Sequence, residues 1–387
     1  MTKTINKIIG MLIAAVLVGS LAACLKPSEN SSESIPLSSE TSSAASFSES
    51  VPVVNETAIK TQFEQVVNAC KGTIDAVVAA AGDSYCDPTF DQYAAMVNAI
   101  GALGFPADWY DLNMPNYEKV QAFWADYQAG KDTQIVIYSL YNFAIDANIL
   151  TCKDNAITLK DAVYKFGEGF SLTNGEFGEP IQNIDRLWMT DKGYLFYHIP
   201  SPYDGSDRYG GYRVTPLGDE NRALCRKYVQ ALSYFCTLPY VWSQDDFSQI
   251  NLSWMFKELY YQVNRKSLYD VYGMPPENNK LPLPADVVEK VMLESLPITL
   301  EQLRAGIPYD AAKKAYTVDL FAGGGGSPTP EVVQFQKNAD GSLSLTIDGV
   351  WIPGGDDDRM TNVLTVMDNP DGSVKYLSNV VTKKRSE

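Results

Sequence analysis

His198 is the only imidazole this chain can offer to acid–base or nucleophilic chemistry. It falls in the strand-like run Tyr194–Ile199, among aromatic residues. A Ser–His–Asp triad or a Cys–His pair would have to use it. No G-x-S-x-G elbow accompanies it and no S-x-x-K signature occurs, so it reads as a strand residue. Asp356-Asp357-Asp358 follow Gly354-Gly355 and put three carboxylates on one stretch. An extracellular loop of that kind can bind calcium weakly, but the alternating spacing and distal glutamate of an EF-hand are missing. It reads as a solvated acidic turn, as do Asp204 and Asp207. Gly323–Gly326 leads into Ser327-Pro328-Thr329-Pro330 without the lysine of a phosphate-binding loop, which makes it a connector between strands. Without a C-x-x-C pair a cysteine–histidine zinc site has little to build on. Glycoside hydrolysis needs only two carboxylates, and no fingerprint points to a particular pair. No catalytic residue, metal or cofactor is therefore expected.

The aromatic residues are more suggestive. The chain holds 23 Tyr and 6 Trp, the side chains favoured where a surface must be apolar and hydrogen-bonding at once. Most belong to the core. Trp109, Tyr110, Tyr203, Tyr209 and Tyr212 fall in stretches that read as loops, 201–212 being rich in Gly and Pro, and they are the candidate binding residues.

The net charge of −16 disfavours phosphate-rich partners, so nucleic acid is not an expected ligand. The N-terminus carries an address: Lys3 and Lys7, the apolar run Ile8–Val18, then Leu21-Ala22-Ala23-Cys24. That run is shorter than the ~20 residues of a spanning helix. The Leu-Ala-Ala-Cys ending resembles the lipobox of bacterial lipoproteins. The resemblance implies cleavage before Cys24, a diacylglyceryl group on its thiol, and palmitate-type acyl chains holding the protein on the extracytoplasmic face of the cell membrane. Two acyl chains anchor stably where one binds reversibly. Cys70, Cys86, Cys152, Cys225 and Cys236 then remain, an odd set that cannot pair completely within one chain. Cys225 and Cys236 fall on one face of a helical pattern, too far apart to bridge, whereas Cys70 with Cys86 is a conceivable disulfide.

These residues need elements to position them. After a signal peptide at 1–23, the serine- and glutamate-rich stretch 24–55 is too poor in apolar residues to fold and reads as a disordered tether. Phe63, Val66, Val67, Cys70, Ile74, Val77 and Val78 keep helical spacing, and further helices are expected at Thr89–Ala102 and Asn116–Ala129. Strands follow at Gln134–Tyr141, Phe143–Thr151, Ile157–Phe166, Asp185–Met189 and Tyr194–Ile199. Helical periodicity returns in Glu220–Cys236 and Leu252–Val263. Prolines at 275, 276, 282 and 284 break the chain before a helix from Ala285, and Thr299 with Gln302 forms a capping box for the next. The last strands are placed at Ala315–Phe321, Glu331–Lys337, Ser342–Ile352, Met360–Asp368 and Ser373–Thr382, with Asp340-Gly341 and Asp371-Gly372 as turns. Helices followed by strands occur twice, which points to α+β modules with antiparallel sheets. The expected modules are 56–212 and 213–387, the second with helices in 216–305 and a β-meander in 307–382.

Leu283-Pro284-Ala285-Asp286, Ile298-Thr299 to Arg304, Tyr309-Asp310, Gly323–Gly326, Pro330-Glu331-Val332-Val333 and Asp340-Gly341 together resemble the C-terminal part of a family of Firmicutes surface lipoproteins with a domain of unknown function. The resemblance implies a lipoprotein of Gram-positive anaerobes and carries no catalytic residues with it. The expected function is binding or scaffolding at the cell surface, toward envelope polysaccharide or another surface protein. The alternatives are a solute-binding lipoprotein of a transporter and a cell-envelope hydrolase.

Overall fold

Ile59, Phe63, Val66, Cys70, Ile74 and Val77 recur every three or four residues along α1 (Glu56–Ala81), and all are buried. That spacing draws one stripe down a helix, and the opposite side keeps the exposed ion pair Lys71–Asp75. The computed structural model describes residues 56–81, 88–109, 111–141, 143–167, 169–172, 181–201, 207–230, 232–273, 279–320 and 327–384. Cys24 with the signal peptide and tether, Cys86, Tyr110, Tyr203, Asp204 and Gly323–Gly326 lie outside them. The described residues fall within one compact unit, Ser50–Glu387.

The stripe of α1 packs with α2 (Phe90–Ala102) on a sheet. Thr89 and Gln92 close the capping box that starts α2, satisfying amides left open by the first helical turn. The sheet runs in the order β1 (Ala107–Asp108), β2 (Thr133–Tyr141), β3 (Ala144–Lys153), β4 (Ala156–Lys165) and β5 (Gly169–Leu172), with β6 (Gln182–Ile184) also on β4. Its pairings are antiparallel except β1 with β2. Alternation splits the strands cleanly. Val136, Tyr138, Leu140, Ile145, Ala147 and Ile149 face α1 and α2. Ile135, Ile137, Leu150, Cys152, Ile157 and Leu159 face α3 (Tyr117–Gln128) and a second sheet. Burying each such side chain contributes about 1.5–3 kcal/mol relative to exposure, so a one-residue slip in register would be very costly.

The second sheet is the meander β7 (Arg186–Met189), β8 (Tyr194–Ile199), β9 (Arg208–Arg213). The stretch 201–212, expected to be loop throughout, thus ends in a strand. Its glycines are there because rings lie over them. A Cβ on Gly210 would stand 2.1 Å from the Tyr197 ring, and one on Gly211 2.3 Å from that of Phe196.

The expected helix over 220–236 is shorter. α4 (Asp219–Leu224) widens into a π turn at Cys225–Val229 and stops there, so Cys225 and Cys236 do not share a helix. Leu232, Tyr234 and Cys236 keep the apolar period because all three are buried in the tertiary core, not because the helix continues. Cys70, Cys152, Cys225 and Cys236 are free thiols. Next come β10 (Trp242–Ser243), α5 (Leu252–Asn264) and α6 (Leu268–Tyr272). The proline-rich stretch before α7 (Ala285–Ser295) ends in a strand, β11 (Lys280–Pro284), at the edge of a small sheet with β13 (Ala315–Asp319) and β12 (Tyr309–Asp310). An edge position tolerates the missing N–H of Pro282 and Pro284. α8 (Leu300–Gly306) has the expected capping box.

The last sheet runs β10, β17 (Val374–Lys384), β16 (Asp356–Asp368), β15 (Leu343–Trp351), β14 (Thr329–Lys337). Leu345, Ile347, Leu364, Val366 and Tyr376 meet Val288, Met292 and Leu303 of α7 and α8 in its core. The molecule is of the α+β class, with antiparallel sheets as the order of elements implied. Asp356-Asp357-Asp358 opens β16 instead of forming a solvated turn. Asp357 is buried and accepts a hydrogen bond from the Thr190 hydroxyl, and Asp358 meets Lys192 at 3.1 Å. No described helix is long and apolar enough to cross a membrane.

Candidate functional site

The face of β2–β4 that looks toward β8 and β9 changes character along its length. Past Ile137 and Leu150 it carries Ser139 and Tyr141 on β2, Asp146 and Asn148 on β3 and Asp161 on β4. Register brings them together: Ser139 pairs with Asp146, and Asn148 with Asp161. Asp108 stands beside Ser139 on β1. Tyr197, Arg208, Tyr209, Gly210, Gly211 and Tyr212 form the facing wall, and Ile352 of the turn after β15 closes one side. The cleft between them has a volume of about 570 Å³, within the usual range of ligand sites. Gly210 lets the Tyr197 ring lie against β9 on the cleft face, and Gly211 makes the same room for Phe196 on the opposite face.

The carboxyls are held in an expensive environment. Asp146 is 9% exposed. Its Oδ2 accepts the Tyr141 hydroxyl, and its Oδ1 has no hydrogen-bond partner among the described residues. Burial lifts its carboxyl to about 6, the charge of Asp161 adds to the rise, and the Tyr141 bond works against it. Asp161 is raised by burial against the pull of Arg208 and of the Gln182 amide, which donates to its Oδ2 at 3.1 Å. Asp108 is pushed up to about 6 by burial, against the pull of Arg222. Burial also lifts the Tyr197 phenol to about 12 and raises that of Tyr212 well above its ordinary value. Arg208 donates to Gln182 Oε1, pulls on the Asp161 carboxylate, and is the one basic side chain among the described residues that line the cleft. A site of this make-up accepts hydrogen bonds, offers π faces, and repels anions.

Below the cleft lies a buried ionic joint. Glu331 of β14, 2% exposed, meets Arg213 of β9 at 2.7 Å and Arg222 of α4 at 3.4 Å. Arg222 also donates to Asn113 Oδ1 at 3.2 Å. Lys192, in the β7–β8 turn, reaches Asp348 of β15 at 2.7 Å. These contacts fix the wall formed by β8 and β9.

The residues singled out in the sequence are distributed unevenly. Tyr209 and Tyr212 both border the cleft, but the Tyr209 ring packs on that of His198 at 4.5 Å, on the opposite face of β9. Trp109 does not stand exposed in a loop. It is 7% exposed, stacked on Tyr93 at 4.6 Å in the core under α1 and α2. Tyr110, Tyr203 and Cys24 lie outside the described residues. His198 occupies the β8 position next to Tyr197 and so points to the opposite face, its Nδ1 2.6 Å from Asp185 and its Nε2 3.4 Å from Asp207. Asp108, Tyr141, Asp146, Asp161, Tyr197 and Arg208 went unnoticed in the sequence. One signal was present: in Ala144-Ile145-Asp146-Ala147-Asn148-Ile149-Leu150, a charge and an amide two apart interrupt an otherwise apolar strand. Among the described residues no group of three or more His, Cys, Asp or Glu side chains is arranged to hold a metal ion.

Fold and site together define an α+β protein with an acidic, tyrosine-walled cleft between two sheets. The chain belongs to the family of unknown function DUF6070, whose family model matches residues 57–387. No curated protein and no solved structure matches it.

Proposed function

We propose that this chain is a lipid-anchored surface lipoprotein of Firmicutes that binds a ligand in the cleft between β2–β4 and β8–β9. The observation that carries the binding role is Asp146, a nearly buried carboxylate in the wall of the cleft with one oxygen left without a partner among the described residues. Such a group costs stability, and a site that exists to receive a hydrogen-bond donor accounts for it. Tyr197 and Tyr212, whose rings lie 6.1 Å apart on the cleft face, are the aromatic members of the site. The anchor rests on Leu21-Ala22-Ala23-Cys24, and on this reading the cleft meets envelope polysaccharide or another surface component outside the cytoplasm.

Two experiments test the two halves. Cys24→Ala should leave an uncleaved precursor that takes up no lipid label. Equal mass and equal labelling of wild type and variant would refute the anchor. For the cleft, Ser139→Trp should fill the space beside Asp146. Envelope fractions and small molecules that raise the melting temperature of the wild type should fail to raise that of this variant. Equal stabilisation of both would move the binding site elsewhere.

A second reading, a cell-envelope hydrolase, is favoured by one feature. Asp146 and Asp161 lie diagonally on adjacent strands of one face, a relation that puts Cβ atoms roughly 7–8 Å apart, and a carboxyl separation of that order suits water-mediated glycoside hydrolysis. Release of reducing ends from envelope polysaccharide by the wild type and not by Asp161→Asn would establish it.

A further inference from the structure

β2 is longer than the strand that borders it. β1 pairs with it only at Tyr138 and Ser139, and the Tyr138 N–H donates to the Pro106 carbonyl at 3.0 Å. Alternate residues of a strand direct their backbone groups to the same edge, so the N–H and C=O of Val136 face that edge too. Among the described residues no hydrogen bond reaches them there. An unpaired edge of this kind is a template for a further strand. Here it lines a groove of about 380 Å³. Phe105 and Pro106 close one end, Gln62 of α1 stands on one side, and Lys119, Ala122, Phe123 and Asp126 of α3 stand on the other.

Two side chains of the groove are incomplete. Gln62 Oε1 is buried and has no hydrogen-bond partner among the described residues. The Lys119 ammonium bonds the Gly104 carbonyl at 2.7 Å, beside Phe105, and no described carboxylate pairs with it. Asp126, toward the Thr133 end, is matched by Lys131 at 2.8 Å. The groove thus has one uncompensated charge, a positive one at its closed end.

We propose that this groove takes an extended peptide segment of another protein, which adds a strand to the edge of β2 and sets an acidic side chain against Lys119. The proposal does not depend on the reading of the cleft. An extended backbone offers a donor and an acceptor at the spacing of those of Val136, and a further donor for Gln62. A second copy of this chain is the poorer occupant, because its own β2 edge is flanked by the same two helices and only a lone strand fits between them. Antiparallel pairing is the slightly more stable arrangement. It starts the peptide at Lys119, so the acidic residue comes first and β-branched residues follow along β2.

The test uses the full chain in detergent and fluorescence anisotropy with the labelled peptide Glu-Val-Thr-Val-Thr-Val. It should bind saturably. N-methylation of one alternate set of its amides should weaken binding at least about tenfold, and methylation of the other set should not. Lys119→Glu should weaken this peptide about fivefold and make the version that begins with lysine the better ligand. Ala122→Trp, at an exposed position of α3, fills the groove and should abolish binding. Ser139→Trp, in the cleft, should change nothing, and melting curves check the folding of each variant. Absence of saturable binding, equal losses from the two methylated sets, or binding unchanged in Ala122→Trp would overturn the proposal. A preference that Lys119→Glu leaves unaltered would overturn the placement of the acidic side chain. Binding that appears only in the double variant Val51→Asp, Val53→Asp would make the chain's own stretch before α1 the occupant, and would overturn the assignment to another protein.

Discussion

The ring of Tyr197 lies across Gly210 of the neighbouring strand so closely that a Cβ there would stand 2.1 Å from it. The contact sets the position of one wall of the cleft, because Tyr197 lines it. Gly210→Ala must push the ring off β9 and should cost about 1–3 kcal/mol, the usual range for over-packing. Urea unfolding measures it. Gly72→Ala is the matched control: it is exposed in the middle of α1 with nothing within 4 Å of the added carbon, and it should stabilise by about 0.5–1 kcal/mol. Equal effects at the two positions would contradict the packing account.

Glu331 holds Arg213 and Arg222 in a nearly solvent-free site. Removing the carboxylate strands both guanidinium groups, so Glu331→Ala should cost about 3–5 kcal/mol. Replacing Asp75, whose contact with Lys71 is exposed, should cost less than about 1 kcal/mol. Chemical denaturation of the two variants side by side checks the contrast.

Stability should fall as pH rises from about 4 to 7. Glu258 is raised from its ordinary 4.5 to about 7 by burial, against hydrogen bonds from Ser233 and Thr237. Asp108, Asp111 and Asp146 are raised by burial from 3.8 to about 6. A carboxyl whose pKa is higher in the folded state binds its proton more tightly there. Its contribution is full below the unfolded value and disappears as pH climbs through the folded one. Melting temperature should therefore drop across this window, and Glu258→Gln should flatten the upper part of the slope. A variant whose profile superimposes on that of the wild type would contradict the assignment.

Asp146→Asn should make the empty protein more stable at pH 7.5. The amide keeps the size and an acceptor for Tyr141 while removing a desolvated charge beside Asp161. The displacement of its carboxyl from 3.8 to about 6 corresponds to roughly 1–3 kcal/mol. A gain in melting temperature together with a loss of ligand binding is the signature of a residue kept for function. A loss of stability would instead give Asp146 a structural role.

Elements closed by local chemistry could be read directly from the residues. Thr89 with Gln92 and Thr299 with Gln302 cap α2 and α8 within four residues, and Gly341 and Gly372 adopt the positive φ that their turns require. What escaped depends on distant partners. The glycines of β9 resemble loop residues until Tyr197 and Phe196 are seen lying over them. Asp357 looks solvated until Thr190, far away in sequence, covers it. Trp109 looks like a loop aromatic until Tyr93 stacks on it. The cleft could not be assembled from sequence because its members come from β1–β4 and β8–β9, and only register makes Ser139, Asp146, Asn148 and Asp161 neighbours.

The most direct measurement is hydrogen–deuterium exchange of the full chain with and without a saturating envelope fraction that raises its melting temperature. Bound ligand should slow exchange at residues 139–148 and 208–212, the two walls of the cleft, and leave 360–367 and 374–382 in the C-terminal sheet unchanged. Saturable binding with no protection at either wall, or with protection confined to the C-terminal sheet, would contradict the account.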